Sequence, residues 1–183
     1  MIWLARCRHS RGFGVQSPSA YSFVRYVINE HYPYYAYFDL KKKFPKLTHT
    51  ERKLNSLYFR IANFAQASFW TVASTSCRNA ADYIQAGCRK SEIVNMLPSG
   101  FTKTVILIDF SSSDVVAFLM SLPYDKLSDS ILIAENIHSG KREYALWRHM
   151  VLDKRVITSY DLYYCGILMF DREKYKQNYV INF

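Results

Sequence analysis

From residue 67 onward, short apolar runs alternate with helix-like patterns, and this alternation most constrains the fold. Strands that alternate with helices are typical of a parallel sheet with crossover helices. The last two runs are separated by a few residues only, so we expect them to form an antiparallel hairpin at a sheet edge. The sequence therefore predicts an α/β fold with a doubly wound, mostly parallel sheet and an antiparallel C-terminal edge strand. The six candidate strands are 69–74, 92–97, 104–109, 130–135, 155–160 and 165–170.

The first 66 residues carry a different pattern, which predicts a helical extension. Ser17-Pro18 is a favourable helix start, because serine caps free amides and proline suits the first helical position. A second helix is expected after Thr48, where Thr48 and Glu51 have the spacing of a capping box. Between the two helices, the tyrosine-rich segment 32–38 has neither period and contains Pro33, so it predicts an aromatic loop.

Length and composition favour one domain over residues 1–183, with residues 1–66 as a helical, basic and aromatic-rich extension and 67–183 as the core. A chain of 183 residues with 50% hydrophobic content can bury one substantial core.

The four cysteines of the chain lack the spacing of a zinc site or a disulfide framework, and we expect free thiols. No apolar run is long enough to span a bilayer, and residues 1–5 are too short for a signal-peptide core, so we expect a cytoplasmic protein without membrane attachment.

The positive charge is concentrated near the N-terminus. The whole chain has a formal net charge of +9, and residues 1–60 hold 11 Lys/Arg against 3 Asp/Glu, a net +8. One interpretation of this asymmetry is an anionic ligand or partner, such as nucleic acid, a phosphorylated substrate or an acidic protein surface. Solvated helix faces explain it equally well. The aromatic segment beside Lys41–Lys43 is open to three interpretations: a homodimer contact, a substrate lid or a stacking surface for bases.

Several pieces of the chain together resemble a known family, the class I S-adenosylmethionine-dependent methyltransferases. The resemblance is to small bacterial O-methyltransferase-like proteins with an N-terminal helical extension, and it spans most of the chain. It implies a Rossmann-like core, S-adenosylmethionine as methyl donor and a hydroxylated small molecule as acceptor. The pieces are Arg11–Pro18, Pro33–Tyr37, Val105–Asp109, Ile131–His138 and Gly166–Phe170.

The cofactor motif of that family is degenerate here. The family ends its first strand in acid-x-Gly-x-x-x-Gly, and Val72, Ser74 and Arg78 stand at the three defining positions. Glycine allows the backbone to approach the ligand closely, so these side chains fill space that the cofactor needs. The family also places an acid for the ribose after its second strand, where Asn95 and Leu97 lie here. What remains of the implied cofactor site is Ser74, Thr75, Ser76, Asn95 and Asp109.

The core is also shorter than the family pattern. Residues 98–103 lead directly to the next strand, where the family inserts a helix and a strand that help to form the adenine pocket. We therefore expect a truncated Rossmann-like core, which weakens cofactor binding because a pocket needs walls as well as anchors.

Some site chemistry is retained in the resemblance. Metal-dependent O-methyltransferases place acidic and amide side chains where Asp109, Glu135 and Asn136 stand, a donor set that suits magnesium or another hard divalent cation. Polar strand ends that only cap loops are the alternative. His138 is a candidate general base beside Asp109, with a hydrogen-bonded loop residue as its alternative.

Three functions remain open from the sequence. The first is a divergent methyltransferase-like protein with weakened or lost S-adenosylmethionine binding and a non-catalytic binding or regulatory role. The second is an active S-adenosylmethionine-dependent O-methyltransferase that uses a divalent metal. The third is a basic nucleic-acid-binding module.

Overall fold

The centre of the fold is a seven-stranded mixed sheet. The structure, a computed structural model, describes residues 15–73, 79–96, 103–111, 118, 122–123, 127–171 and 175–183. The strand order across the sheet is β2-β1-β3-β4-β6-β5-β7. The strands are β1 Phe69–Ala73, β2 Glu92–Val94, β3 Thr104–Asp109, β4 Ile131–Glu135, β5 Thr158–Asp161, β6 Cys165–Met169 and β7 Gln177–Val180.

Strand β6 alone runs against the other six strands. It pairs antiparallel with β4 on one side and with β5 on the other, whereas β1, β2, β3 and β4 pair in parallel and β7 pairs in parallel with β5. The predicted α/β class, the mostly parallel sheet and the β5–β6 hairpin are confirmed. The predicted edge position of the antiparallel strand is wrong. Residues 165–168 are fully buried, and a strand with such an apolar sequence is stable inside the sheet, with both of its edges paired.

Five helices accompany the sheet in the described part of the chain. The helical capping predictions are confirmed: Ser17 accepts a bond from the Ala20 amide, and Thr48 and Glu51 form a complete capping box. The aromatic loop prediction is wrong, because a helix begins at Tyr35. The helices are α1 Pro18–Phe23, which continues as a π-helical turn over Val24–Ile28, α2 Tyr35–Lys43, α3 His49–Ala65, α4 Ala80–Gly87 and α5 Lys141–Leu152.

Both faces of the sheet are covered. On one face, side chains of α1, α3 and α4 pack with Trp70, Val105 and Ile133. On the other face, Trp147 and Met150 of α5 pack with the side chains that alternate with those, such as Ile106 and Leu132. Strands buried on both faces have continuous apolar sequences, which explains why β3 and β4 were easy to recognise.

A buried arginine joins α3 to the π-helical turn. The Arg60 side chain is 7% exposed. Its Nε donates to the Val27 carbonyl at 2.6 Å, one Nη to the Ile28 carbonyl at 3.0 Å and the other Nη to the Tyr37 hydroxyl at 3.4 Å. Since the last carbonyls of a helix lack intrahelical partners, Arg60 ends the π-helical turn and fixes it to α3.

Two findings bear on the compartment predictions. Among the described residues, no helix combines the length and the apolar character needed to cross a membrane. Cys88 and Cys165 are buried free thiols, as expected, and Cys7 and Cys77 lie outside the described residues.

The tyrosines predict a loss of stability at high pH. Burial raises the pKa of Tyr34, to about 12, and also raises the pKa of Tyr37, Tyr83, Tyr160 and Tyr179. These phenols stay neutral in the fold, whereas in the unfolded chain they ionise near pH 10. Their contribution is therefore fully present below about pH 10 and is lost as the pH rises through the folded-state pKa values.

We expect the free energy of unfolding, measured in urea at several pH values, to fall steeply above about pH 10. The Tyr160→Phe variant has no phenol to ionise at that position and should lose less stability over the same range. Equal losses in both proteins would contradict a role for Tyr160 ionisation.

Candidate functional site

Four parallel strands end at the same edge of the sheet, and the candidate site lies there. Ala73, Asp109, Glu135 and Asp161 are the last residues of β1, β3, β4 and β5. From β1 the sheet extends to β2 on one side and to β3 on the other. Open α/β sheets bind ligands outside the carboxyl ends of their strands, where the strand order reverses. This edge is therefore the place to look for function.

Asp109 organises the centre of this edge. Its side chain is buried, and its Oδ1 accepts bonds from the Ser111 amide at 2.9 Å, the Ser111 hydroxyl at 2.7 Å and the Asn136 Nδ2 at 2.7 Å. Asn136 has a φ of 61°, a left-handed conformation that asparagine tolerates better than most residues. Asp109 thus holds the turn after β4 against the end of β3.

Glu135 lies beside Asp109 on the same face. The two are register partners across β3 and β4, and each is 6% exposed. The buried Tyr58 of α3 donates a hydrogen bond from its hydroxyl to Glu135 Oε1. Two carboxyl groups therefore lie side by side beneath α3, and Tyr58 covers one of them.

The arrangement fits a divalent cation poorly. A carboxylate only accepts hydrogen bonds, so Asn136 turns its NH2 group, and not its oxygen, towards Asp109. Asp109 Oδ1 already holds three donors and Glu135 holds Tyr58. Within the described ranges, no group of three His, Cys, Asp or Glu side chains is placed to hold a metal ion. The predicted metal set of Asp109, Glu135 and Asn136 stays a prediction.

His138 forms a dyad with Asp161, a residue that the sequence argument did not single out. Its Nε2 lies 2.8 Å from Asp161 Oδ2, and its ring stacks with Tyr144 at 4.6 Å and with Tyr163 at 4.9 Å between ring centroids. The Tyr163 amide donates to Asp161 Oδ1 at 2.9 Å. A carboxylate bonded to one ring nitrogen fixes the orientation of an imidazole, and the His138 side chain keeps 21% of its surface exposed.

The predicted cofactor positions fall into two groups. Ser74, Thr75 and Ser76 lie outside the described residues, as do Leu97 and Arg78. Of the positions that are described, Val72, the predicted counterpart of the motif's acid, is partly buried and packs against the core. Asn95 is exposed just after β2.

The aromatic segment divides between core and surface. The rings of Tyr34 and Tyr37 pack on Phe59 of α3, with centroids 4.9 and 5.0 Å away. Tyr35 and Phe38 are 94% and 63% exposed. The aromatic side chains that the sequence analysis treated as one group therefore lie on two different faces. The dimer, lid and nucleic-acid interpretations remain predictions for the exposed face only.

Sequence reasoning missed Tyr58 and Asp161. Tyr58 occupies an apolar position of α3, and nothing in the pattern marks its hydroxyl as a partner of Glu135. Asp161 had a usable signal, because it ends a strand that runs parallel to β4 and therefore reaches the same edge.

Comparison with known proteins adds no relative. No protein-family model, no curated protein and no solved structure matches the chain. A functional assignment therefore depends on the sheet topology and on the side chains at its carboxyl edge.

Proposed function

We propose that this chain is a divergent methyltransferase-like protein that has weakened or lost S-adenosylmethionine binding and has a non-catalytic binding or regulatory role. The observation that carries the proposal concerns the two replaced cofactor positions that the structure describes: Val72 packs against the core, and Asn95 faces solvent. The two parts of the proposal, kinship and loss, have separate support.

The strand order supports kinship. A doubly wound Rossmann sheet has the order 3-2-1-4-5-6, and without its third strand it becomes 2-1-4-5-6. The first four strands here have the corresponding order β2-β1-β3-β4. Nine residues separate Val94 from Thr104, whereas a parallel crossover usually needs about a dozen or more residues. That length leaves no room for the helix and strand expected at this point, as the proposed truncation requires.

The replaced anchors support loss of the cofactor. Val72 places a branched apolar side chain where the family has a carboxylate, and that side chain packs into the core. The exposed amide of Asn95 has no charge with which to hold a pair of ribose hydroxyls. Because β2 is the last strand on its side of the described sheet, an adenine ring there would lack the wall that a further strand supplies.

The interactions at the edge support a binding or regulatory role over catalysis. The polar side chains at this edge form three hydrogen-bonded pairs: Asp109 with Asn136, Glu135 with Tyr58, and His138 with Asp161. Such paired groups stabilise the loops at this edge, and the carboxyl groups of Asp109 and Glu135 would have to break these contacts to act on a substrate.

Calorimetric titration with S-adenosylmethionine and S-adenosylhomocysteine tests the proposal. We expect no measurable heat and no rise in melting temperature at about 1 mM ligand. A ligand bound with a Kd of about 10 μM would stabilise the fold by about 2.7 kcal/mol at that concentration. For a chain of this size that corresponds to a rise in melting temperature of about 5–10 °C.

The same titration with magnesium separates the alternative enzyme. The adjacent carboxyl groups of Asp109 and Glu135 are the one observation that favours a metal-dependent O-methyltransferase. Cofactor binding that appears with magnesium and disappears in Asp109→Asn would favour that enzyme and overturn the proposal. Binding of S-adenosylmethionine without any metal would show that the cofactor site is retained, and it would also overturn the proposal.

A further inference from the structure

A narrow cleft lies on the α5 side of the sheet, away from the carboxyl groups beneath α3. Its volume is about 190 Å³, which suits one large side chain better than a cofactor. Two of its apolar walls are unusually open, since Leu152 is 73% exposed and Val180 is 43% exposed. The cleft is lined by Tyr144, Trp147, Arg148, Val151 and Leu152 of α5 and by Ser159, Asp161, Asn178, Tyr179 and Val180 of the last strands.

Strand β7 offers an open hydrogen-bonding edge beside this cleft. In the part of the chain that the structure describes, β7 pairs with β5 on one side and ends the sheet on the other. The Gln177 amide donates to the carbonyl of Ile157, just before β5, at 2.8 Å, and the Ile181 amide donates to that of Asp161 at 2.9 Å. Because successive residues of a strand point their backbone groups to opposite sides, the amides and carbonyls of Asn178 and Val180 face outward. The same two residues contribute side chains to the cleft.

The surface around this edge is positively charged. Arg148 has no hydrogen bond or ion pair with any described residue, while the acidic groups nearby are engaged: Asp161 with His138 and Asp153 with Arg155. Lys154 and Lys176 are also exposed close to the ends of α5 and β7. A segment that covers the cleft would therefore be favoured by negative charge.

We propose that β7 is a docking edge for an extended acidic peptide segment of a partner protein. The segment adds an eighth strand beside β7, with main-chain bonds to Asn178 and Val180, and it places a large apolar side chain in the cleft and a carboxylate on Arg148. Addition of a strand to an open edge obtains affinity from the backbone and specificity from pockets for alternate side chains, and both parts are present here.

Spacing along α5 restricts the peptide further. Arg148 and Leu152 are four residues apart on one face of α5, about 6.0 Å along the axis. Alternate residues of an extended strand are about 6.7 Å apart and lie on one face. In a peptide with an acidic residue two positions from a large apolar residue, the acidic side chain can therefore contact Arg148 while the apolar side chain contacts Leu152.

A second copy of this chain suits the edge less well. The chain has a formal net charge of +9, and two copies would bring the basic groups around their β7 strands together. Charge complementarity favours an acidic partner instead. The inference is independent of the proposed function, because it uses neither the cofactor positions nor the carboxyl groups beneath α3.

The test is fluorescence anisotropy with a labelled peptide, Thr-Val-Glu-Val-Phe-Val-Thr, in which the acidic and aromatic side chains share one face. We expect a Kd of about 10–100 μM at low salt. Arg148→Glu should weaken binding about tenfold, and a peptide with lysine in place of glutamate should recover most of that loss. Lys141→Glu makes the same charge change on the same helix outside the cleft, and its Kd should change less than twofold.

Two backbone tests follow. Val180→Pro removes one outward amide at an edge where proline is tolerated, and it should weaken binding at least about tenfold. A peptide N-methylated at every residue has no amide donor on either edge, so it cannot pair with β7 and should not bind to the unchanged protein. A failure of the proline variant to fold leaves this test intact.

No change in the anisotropy of the labelled peptide at about 1 mM protein would overturn the proposal, and so would equal binding of the N-methylated peptide. The third decisive measurement is the oligomeric state of the chain alone, determined by analytical ultracentrifugation. A dimer that Val180→Pro dissociates would assign the edge to a second copy and overturn the peptide assignment.

Discussion

Arg60→Leu should lower the free energy of unfolding by about 2–4 kcal/mol, because it leaves the Val27 and Ile28 carbonyls buried without a donor. Each unsatisfied buried carbonyl costs about 1–3 kcal/mol, and relief of the buried positive charge offsets part of that cost. Urea unfolding followed by circular dichroism measures the change. A loss of this size is a large part of the stability of an ordinary domain.

Two variants show whether the hydrogen bonds are responsible. Arg25→Leu removes an exposed arginine of the π-helical turn and should change stability by less than about 0.5 kcal/mol. Arg60→Lys keeps the charge but cannot reproduce the planar fork, so it should recover part of the loss at most. If Arg60→Leu is no more destabilising than Arg25→Leu, the assigned role of Arg60 is wrong. Hydrogen exchange should also show faster opening of the amides of Val24–Ile28 in Arg60→Leu.

Gly87→Ala should also be destabilising, by about 1–3 kcal/mol. A Cβ at this position would lie 2.2 Å from the backbone oxygen of Phe59 and 3.1 Å from the Ala62 side chain. The obstacle is the backbone of α3, which cannot move without separating α3 from α4. Thermal or urea unfolding of the variant measures the cost.

Gly140→Ala is the matched control, since it introduces the same methyl group. There the new Cβ would lie 2.4 Å from Glu143 Oε2, the end of a flexible side chain that can turn away. Loss of glycine at the N-cap of α5 should cost about 1 kcal/mol or less. Equal effects of the two substitutions would show that the α3–α4 contact is not as tight as described.

The sequence predicted those parts of the fold that depend on local pattern. Strand β3 was predicted with its observed bounds because six consecutive buried residues have no competing interpretation. The capping box at Thr48 was equally recognisable, since its two partners are three residues apart. Both signals lie within a few neighbouring residues.

The errors have a tertiary cause. Tyr35–Phe38 became helical because Tyr34 and Tyr37 find a surface on Phe59, which no local period reveals. Strand β7 was missed because it is short and only alternately exposed, and its existence depends on pairing with β5.

The site followed the same division. The sequence brought Asp109, Glu135 and Asn136 to one edge, and the structure places them there in contact or in register. The sequence did not predict which polar groups form hydrogen bonds with one another at this edge, because Tyr58, Asp161 and Tyr163 come from other segments of the chain. Partners from distant segments are determined by packing, and one sequence carries little information about packing.

The reversed strand β6 has a consequence for synthesis of the chain. Strand β4 has five buried residues, and one of its edges is completed only by β6, which 29 residues separate from the end of β4. While those residues emerge from the ribosome, β4 presents an unpaired apolar edge to other nascent chains. A product that stops before Cys165 keeps that edge permanently, and premature termination in this region therefore yields aggregates instead of a smaller folded protein.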